Sequence, residues 1–276
     1  MNKLHFGTGG SPHSSASHSS VDGVKRIAEL GLDCMEVEFV YGVNVTDTVA
    51  RQIGTVAANH NIRLSVHAPY YINLNAREPE KIKASQARLF QSARAASLLG
   101  ARDVAFHSAF NMGDPPEQVY ETVKKGLVEV LEQMERSNIK VRLRPELMGK
   151  VSQFGALNEV LRLAGELPGV TPCIDFAHWH ARTGAFNSYD EFATMLSQIK
   201  ERVGEAALKE MHIHVAGITY SAKGELAHRN LRESDFAYRE LLQAFKDFKV
   251  AGLVICESPN LEEDALLLKR GYVELK

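Results

Sequence analysis

Cysteine is scarce in this chain of 276 residues: Cys34, Cys173 and Cys256 stand far apart. An odd number at such spacing argues against a disulfide framework and against a clustered thiolate metal site, and it fits a reducing cytoplasm. Long apolar runs are also missing. Nowhere do about 18 apolar residues follow one another, so no segment is expected to span a membrane. Met1 to Gly10 lack the basic region and extended apolar stretch of a signal peptide, and a cytoplasmic protein is expected. Net charge is close to nil, at −2 with a pI near 6.6. No global basic field announces nucleic acid, so any such binding must use a local patch. The glycine motifs of nucleotide binding, Gly-x-x-x-x-Gly-Lys-Ser/Thr and Gly-x-Gly-x-x-Gly after a strand, are absent, and no nucleotide cofactor is expected. A Gly-x-Ser-x-Gly elbow is missing too, which leaves Ser-His-Asp catalysis without support.

What is present is a repeated unit. Short β-rich apolar runs predict strands at about Leu4–Thr8, Cys34–Phe39, Arg63–His67, Asp103–His107, Val141–Glu146, Pro172–Phe176, Glu210–His214 and Leu253–Glu257. Between them lie amphipathic stretches with helix punctuation. Ser20 is read as the cap of a helix ending at Gly31, and Pro79 opens one that stops at Gly100. Asp114-Pro-Pro-Glu117 marks another start, and Asn260 with Glu263 reads as a capping box. A Leu-Gly phrase recurs at Leu30-Gly31 and Leu99-Gly100, each time as a helix gives way to a strand. Eight β-α units without a linker or composition break predict one domain over residues 1–276, a (β/α)8 TIM barrel. An open doubly wound sheet is the alternative arrangement of the same units. The Ser-rich stretch Ser11–Ser20, with His13 and His18, reads as a polar loop after the first strand.

Barrel enzymes gather their reactive groups at the C-terminal ends of the strands. His67, His107, Glu146, Asp175, His212 and Glu257 fall at or near the ends of six successive predicted strands. A lone histidine or glutamate there has a bland explanation, such as pairing of Glu146 or Glu257 with Arg142 or Arg144. Six in one mouth do not. Uncompensated charges would each cost several kcal/mol on burial, and a bound cation is the usual compensation. Imidazole and carboxylate without thiolate suit Zn2+, or else Mn2+ or Fe2+. With His178 and His228 the candidates exceed the needs of one ion, so two or three metals are expected. Adjacent metals share carboxylates and clamp the attacking and leaving oxygens of a phosphoryl displacement.

The motifs His67-Ala-Pro-Tyr70-Tyr-Ile-Asn73-Leu, Phe106-His107-Ser108, Pro145-Glu146, Cys173-Ile-Asp175-Phe-Ala-His178, His212-Ile-His214 and Glu257-Ser-Pro resemble, in order and spacing, those of endonuclease IV. That family lies in the xylose-isomerase-like barrel superfamily, and the similarity runs over essentially the whole chain. The resemblance implies a trinuclear zinc site that hydrolyses DNA 5′ to abasic sites, as in base excision repair. It implies that His67 and His107 hold a first metal, that Glu146 bridges it to a second and positions the nucleophile, and that Asp175, His212 and Glu257 complete the second. His178 and His228 would hold the third, with Glu225 as the nearest carboxylate ahead of the last histidine, one residue further off than in the family. Tyr70 matches a tyrosine that contacts DNA. The loop after the second strand, Val40-Tyr41-Gly42-Val43-Asn44-Val45, lacks the arginine and glutamine that enter DNA in the family.

His180 and His214 stand beside the site as either further ligands or donors to ligands. Arg77, Lys81, Lys83, Lys223, Arg229 and Arg232 follow predicted strands and are candidates for a basic rim. A monomer acting on abasic DNA is the expectation. The competing one is a single-metal sugar or sugar-phosphate isomerase or epimerase of the same superfamily, built on Glu146, Asp175, His212 and Glu257. A non-enzymatic scaffold is disfavoured, because structural zinc sites are closed.

Overall fold

The computed structural model describes residues 3–275. Eight parallel strands form the barrel: β1 (Leu4–Gly9), β2 (Cys34–Glu38), β3 (Arg63–His67), β4 (Asp103–Phe106), β5 (Arg142–Pro145), β6 (Cys173–Asp175), β7 (Met211–Val215) and β8 (Gly252–Cys256). Their order around the sheet is β5-β4-β3-β2-β1-β8-β7-β6. The ring closes between β5 and β6 through the bridges Leu143↔Val170 and Glu146↔Cys173, carried by bonds from Leu143 N to Gly169 O, Thr171 N to Leu143 O and Leu147 N to Cys173 O. The TIM barrel expected from the repeated units is therefore the observed fold, and the open sheet is not. Parallel strands covered on both faces need apolar residues at nearly every position. Val104, Leu143, Ile174, Ile213 and Val254 are all buried accordingly.

Helices wrap the barrel: α1 (Ser20–Glu29), α2 (Asp47–Asn59), α3 (Pro79–Leu99), α4 (Pro116–Arg136), α5 (Leu157–Glu166), α6 (Phe176–Thr183), α7 (Tyr189–Val203), α8 (Tyr238–Asp247) and α9 (Glu262–Glu274). Ser19, not Ser20, caps α1, its hydroxyl accepting from Asp22 N at 3.2 Å. The expected capping box at Asn260 does not form, because the Asn260 amide donates to Asp264 Oδ1 and α9 begins two residues later. Among the described residues, no helix is long and apolar enough to cross a membrane.

Arg142 and Arg144 lie at the far end from the candidate site. Both donate to Asp103, and Arg144 adds Glu210 O at 2.7 Å, so neither is the partner of Glu146 or Glu257. At the near end an antiparallel hairpin, Gly217–Ser221 with Gly224–Arg229, follows β7 and leans over the mouth. Gly224 makes this possible. Its φ is +95°, and a Cβ there would sit 2.2 Å from Gly149 O, so the hairpin's tip lies backbone against backbone on the loop after β5.

Candidate metal centre

A cleft of about 350 Å3 opens at the C-terminal end of the barrel, and His67, Tyr70, His107, Glu146, His178, Glu225, His228 and Glu257 line it. His67 ends β3, whereas His107, Glu146 and Glu257 each follow a strand by one residue, where the chain turns into the cleft. Asp175 ends β6 and caps α6, accepting from His178 N at 2.7 Å. That cap fixes the first turn of α6 and with it the His178 ring.

Glu146 is the hub. Its Oε2 lies 3.1 Å from both His67 Nε2 and His107 Nε2, while Oε1 lies 3.2 Å from His178 Nδ1 and 3.4 Å from His214 Nδ1. Burial opposes its ionisation, but the charges of His107 and His214 and hydrogen bonds from His107 and His178 hold the carboxyl well below the usual range. Potential ligand atoms fall into adjoining groups: His67, His107 and Glu146; Glu146, Asp175, His214 and Glu257; and Asp175, His178 and His228. Glu225 approaches His178 Nε2 at 3.5 Å.

The ring nitrogens show what these groups are suited to hold. His67 Nδ1 is 2.8 Å from Ala68 O, His178 Nδ1 is 3.1 Å from Leu147 O, and His228 Nδ1 is 3.2 Å from Glu257 O. A carbonyl only accepts, so each Nδ1 carries a proton, which leaves the lone pair of a singly protonated ring on Nε2, turned into the cleft. Those lone pairs meet carboxylates or one another: His178 Nε2 and His228 Nε2 are 3.1 Å apart. A cation between them, or protonation of a ring, resolves such a confrontation. In the absence of a cation, Glu146 and Glu38 outweigh burial and raise His67 to about 10. Asp175 Oδ2 is buried without a hydrogen-bond partner among the described residues, and burial lifts this carboxyl to about 6. The donor set is imidazole and carboxylate, which suits a borderline or hard divalent ion.

One residue of the expected set lies elsewhere. His212 is in β7 but one layer below the mouth, its Nε2 2.8 Å from Glu36 Oε2. His214, two residues on and facing the same way, reaches the layer of Asp175 and Glu257 instead. Side chains at i and i+2 share a face of a strand, so the later one stands nearer the strand's C-terminal end. The sequence reading also passed over Glu36, Glu38 and Lys150. Glu36 is fully buried beneath the cleft, Glu38 lines its wall and Lys150 its rim. Burial and the nearby Glu36 and Glu257 outweigh His67 and raise Glu38 to about 8. Their signal was two glutamates at alternate positions of an otherwise apolar strand. Tyr70 is at the mouth, half-exposed, its ring 5.5 Å from that of His67. His180 turns away, toward Ala185 O and Asp235. Of the expected basic rim, Lys223, Arg229 and Arg232 are exposed near the hairpin, while Arg77 is tied to Asp114 and Lys81 to Glu78.

Residues 24–271 match the xylose isomerase-like TIM barrel family. The chain belongs to that family. An uncharacterised protein of Methanocaldococcus jannaschii is 41% identical over 273 residues, 99% of this chain and 98% of that protein. A probable endonuclease 4 of Shouchella clausii is 26% identical over 192 residues, 67% of this chain and 63% of that relative. Among solved structures, endonuclease IV from Thermus thermophilus aligns with a TM-score of 0.73 at 20% identity, covering 96% of this chain and 97% of that one. A D-tagatose 3-epimerase-like protein aligns as well, with a TM-score of 0.74 at 16% identity over 98% and 97% of the two chains. At these identities the structural likeness establishes the barrel. The proteins the chain is similar to include probable endonucleases and a sugar-epimerase-like protein, and choosing between these activities falls to the site.

Proposed function

We propose that this chain is a metal-dependent phosphodiesterase that cuts DNA on the 5′ side of abasic sites. One observation carries the reading: the imidazoles of His67, His178, His214 and His228 each turn one ring nitrogen toward a backbone carbonyl or Glu36 and the other onto a carboxylate or a neighbouring ring. That arrangement supplies adjoining ligand groups joined by Glu146 and Asp175, enough for two or three ions of Zn2+, with Mn2+ or Fe2+ as substitutes. Bound divalent cations supply a water of lowered pKa and neutralise charge developing on phosphate oxygens. The chain's own residues do the remaining work. Glu146 joins the first two groups and fixes their separation, and His67 with His107 forms one wall. Asp175 holds His178 through the helix cap. Tyr70 offers an exposed ring at the entrance, and Lys150 places a cation on the rim where a phosphodiester would pass.

A sugar epimerase or isomerase is the second reading, favoured by the barrel's likeness to a D-tagatose 3-epimerase-like protein. One ion serves such chemistry, and it leaves the His67/His107 and His178/His228 pairs without a task. The deciding experiment uses a labelled duplex with one tetrahydrofuran abasic analogue, incubated with metal-replete protein across a salt series. Incision 5′ to the analogue, falling steeply with salt, is expected, because a chain of net charge −2 must meet phosphates through a local basic surface. No cut at any salt, with turnover of a ketose or ketose phosphate and one metal per chain, refutes the phosphodiesterase in favour of the epimerase.

A further inference from the structure

Glu36 sits at the floor of the barrel mouth with no exposed surface, and its carboxylate faces two histidines of β7. Its Oε2 is 2.8 Å from His212 Nε2 and its Oε1 2.9 Å from His214 Nε2. The two rings face opposite tasks. His214 Nδ1 looks up into the ligand group, 3.4 Å from Glu146 Oε1 and 3.3 Å from Glu257 Oε1. His212 Nδ1 is buried and has no partner among the described residues. Each ring thus has one nitrogen turned to an oxygen of the Glu36 carboxylate. A carboxylate only accepts, so the ring nitrogen facing it carries the proton. For His214 this leaves the lone pair on Nδ1, pointing at Glu146, Asp175 and Glu257.

We propose that Glu36 is a positioning residue that sets the tautomer of His214, that His214 is the β7 ligand of the central cation, and that His212 is a brace on Glu36. The assignment rests on the metal-centre reading above. Backbone carbonyls hold the protons of His67, His178 and His228, whereas His214 has a full negative charge behind it. Such a partner raises ligand basicity, so the central position should hold its ion more tightly than a carbonyl-backed imidazole allows. Cys173 lies within ligand distance of the His212 and His214 rings and is the rival donor at this position.

The test is Co2+ binding to chelator-treated full-length protein, read by visible absorption and by metal content, with no nucleic acid present. For His214→Asn, one ion per chain fewer than wild type is expected. For Glu36→Gln the ion count at saturation should hold, while the affinity of one ion falls roughly 10- to 100-fold and its visible band shifts. His212→Asn should keep the full count with a smaller shift. Glu36→Asp keeps the charge but shortens its reach, and should fall between wild type and Glu36→Gln, which covers the case of a Glu36→Gln chain that does not fold. Loss of an ion in His212→Asn with none lost in His214→Asn overturns the proposal. So does an unchanged affinity and spectrum in Glu36→Gln and Glu36→Asp, or a sulfur-to-cobalt band in the near ultraviolet that disappears in Cys173→Ser. A wild-type chain that binds no Co2+ sinks the metal-centre reading itself. A chain that binds as described but leaves abasic DNA intact removes only the proposed substrate.

Discussion

Replacing Gly224 by alanine should empty the outer part of the centre without unfolding the barrel. The residue has φ +95°, and an added Cβ would stand 2.2 Å from Gly149 O and 3.2 Å from Lys150 Cα. Both neighbours are backbone, so no flexible side chain can swing aside. An alanine in this left-handed region costs about 1–2 kcal/mol, and forcing a methyl into a filled space costs roughly 1–3 kcal/mol more. The hairpin escapes both by lifting off the loop. It then gives up the bond from Glu225 N to Gly149 O at 3.1 Å, worth about 1 kcal/mol. Lifting is the cheaper course, because barrel strands hold none of these contacts. Glu225 and His228 travel with the hairpin, and His228 Nε2 leaves His178. Expected results are one metal ion fewer per chain, faster hydrogen exchange across Gly217–Arg229, and an unfolding free energy of the barrel, from urea titration, changed by less than about 1 kcal/mol. Full metal content with unchanged exchange in the hairpin would refute the claim that this backbone contact seats the outer ligands.

Other consequences can be checked separately. Glu146→Gln should reduce incision of the abasic duplex to background while far-ultraviolet circular dichroism stays native, since four imidazoles converge on that one carboxylate; near wild-type turnover removes Glu146 from the chemistry. Asp103→Asn should cost about 3–5 kcal/mol in denaturant unfolding, because Arg144 is left buried without its counter-charge; a loss under 1 kcal/mol contradicts this. His5, held down to about 4 chiefly by burial, is neutral in the native state. Its contribution is complete above pH 6.5, the unfolded value, and is lost as pH falls toward 4, where unfolding takes up a proton that folding must expel. The swing is up to about 3 kcal/mol, and His5→Gln should flatten the stability profile in that window; parallel profiles would show that His5 does not titrate there.

Strand ends were the most legible feature of the sequence. Each barrel strand begins or stops within a residue or two of its expected place, because an apolar run flanked by a polar cluster leaves little freedom for a strand buried on both faces. Depth within the barrel was not legible. His212 and His214 share a face, and only the stagger of β7 against β6 and β8, Asp175↔His214 and Ile255↔His214, decides which reaches the mouth. Glu36 and Glu38 escaped for a related reason, since they lie inside the expected strand Cys34–Phe39 and its alternate positions turn into the mouth. The hairpin after β7 left no apolar pattern to read, its outer strand burying only Gly224. Its register shift at Thr219/Tyr220 belongs to the same irregular stretch that leaves Glu225 three residues ahead of His228.

The seam between β5 and β6 gives the centre a mechanical meaning. Glu146 and Cys173 form one of the bridges that turn an eight-stranded ribbon into a ring, and Leu147 N and Cys173 O supply its bond. The side chain of the same Glu146 reaches rings anchored on β3, on the turn after β4, on α6 and on β7. Any ion held there works as a hoop around staves, drawing the two edges of the ribbon together from inside. With no ion bound there, the barrel should loosen along this one line first, and the amides of Leu143, Leu147 and Thr171 are where that opening becomes visible as exchange with solvent.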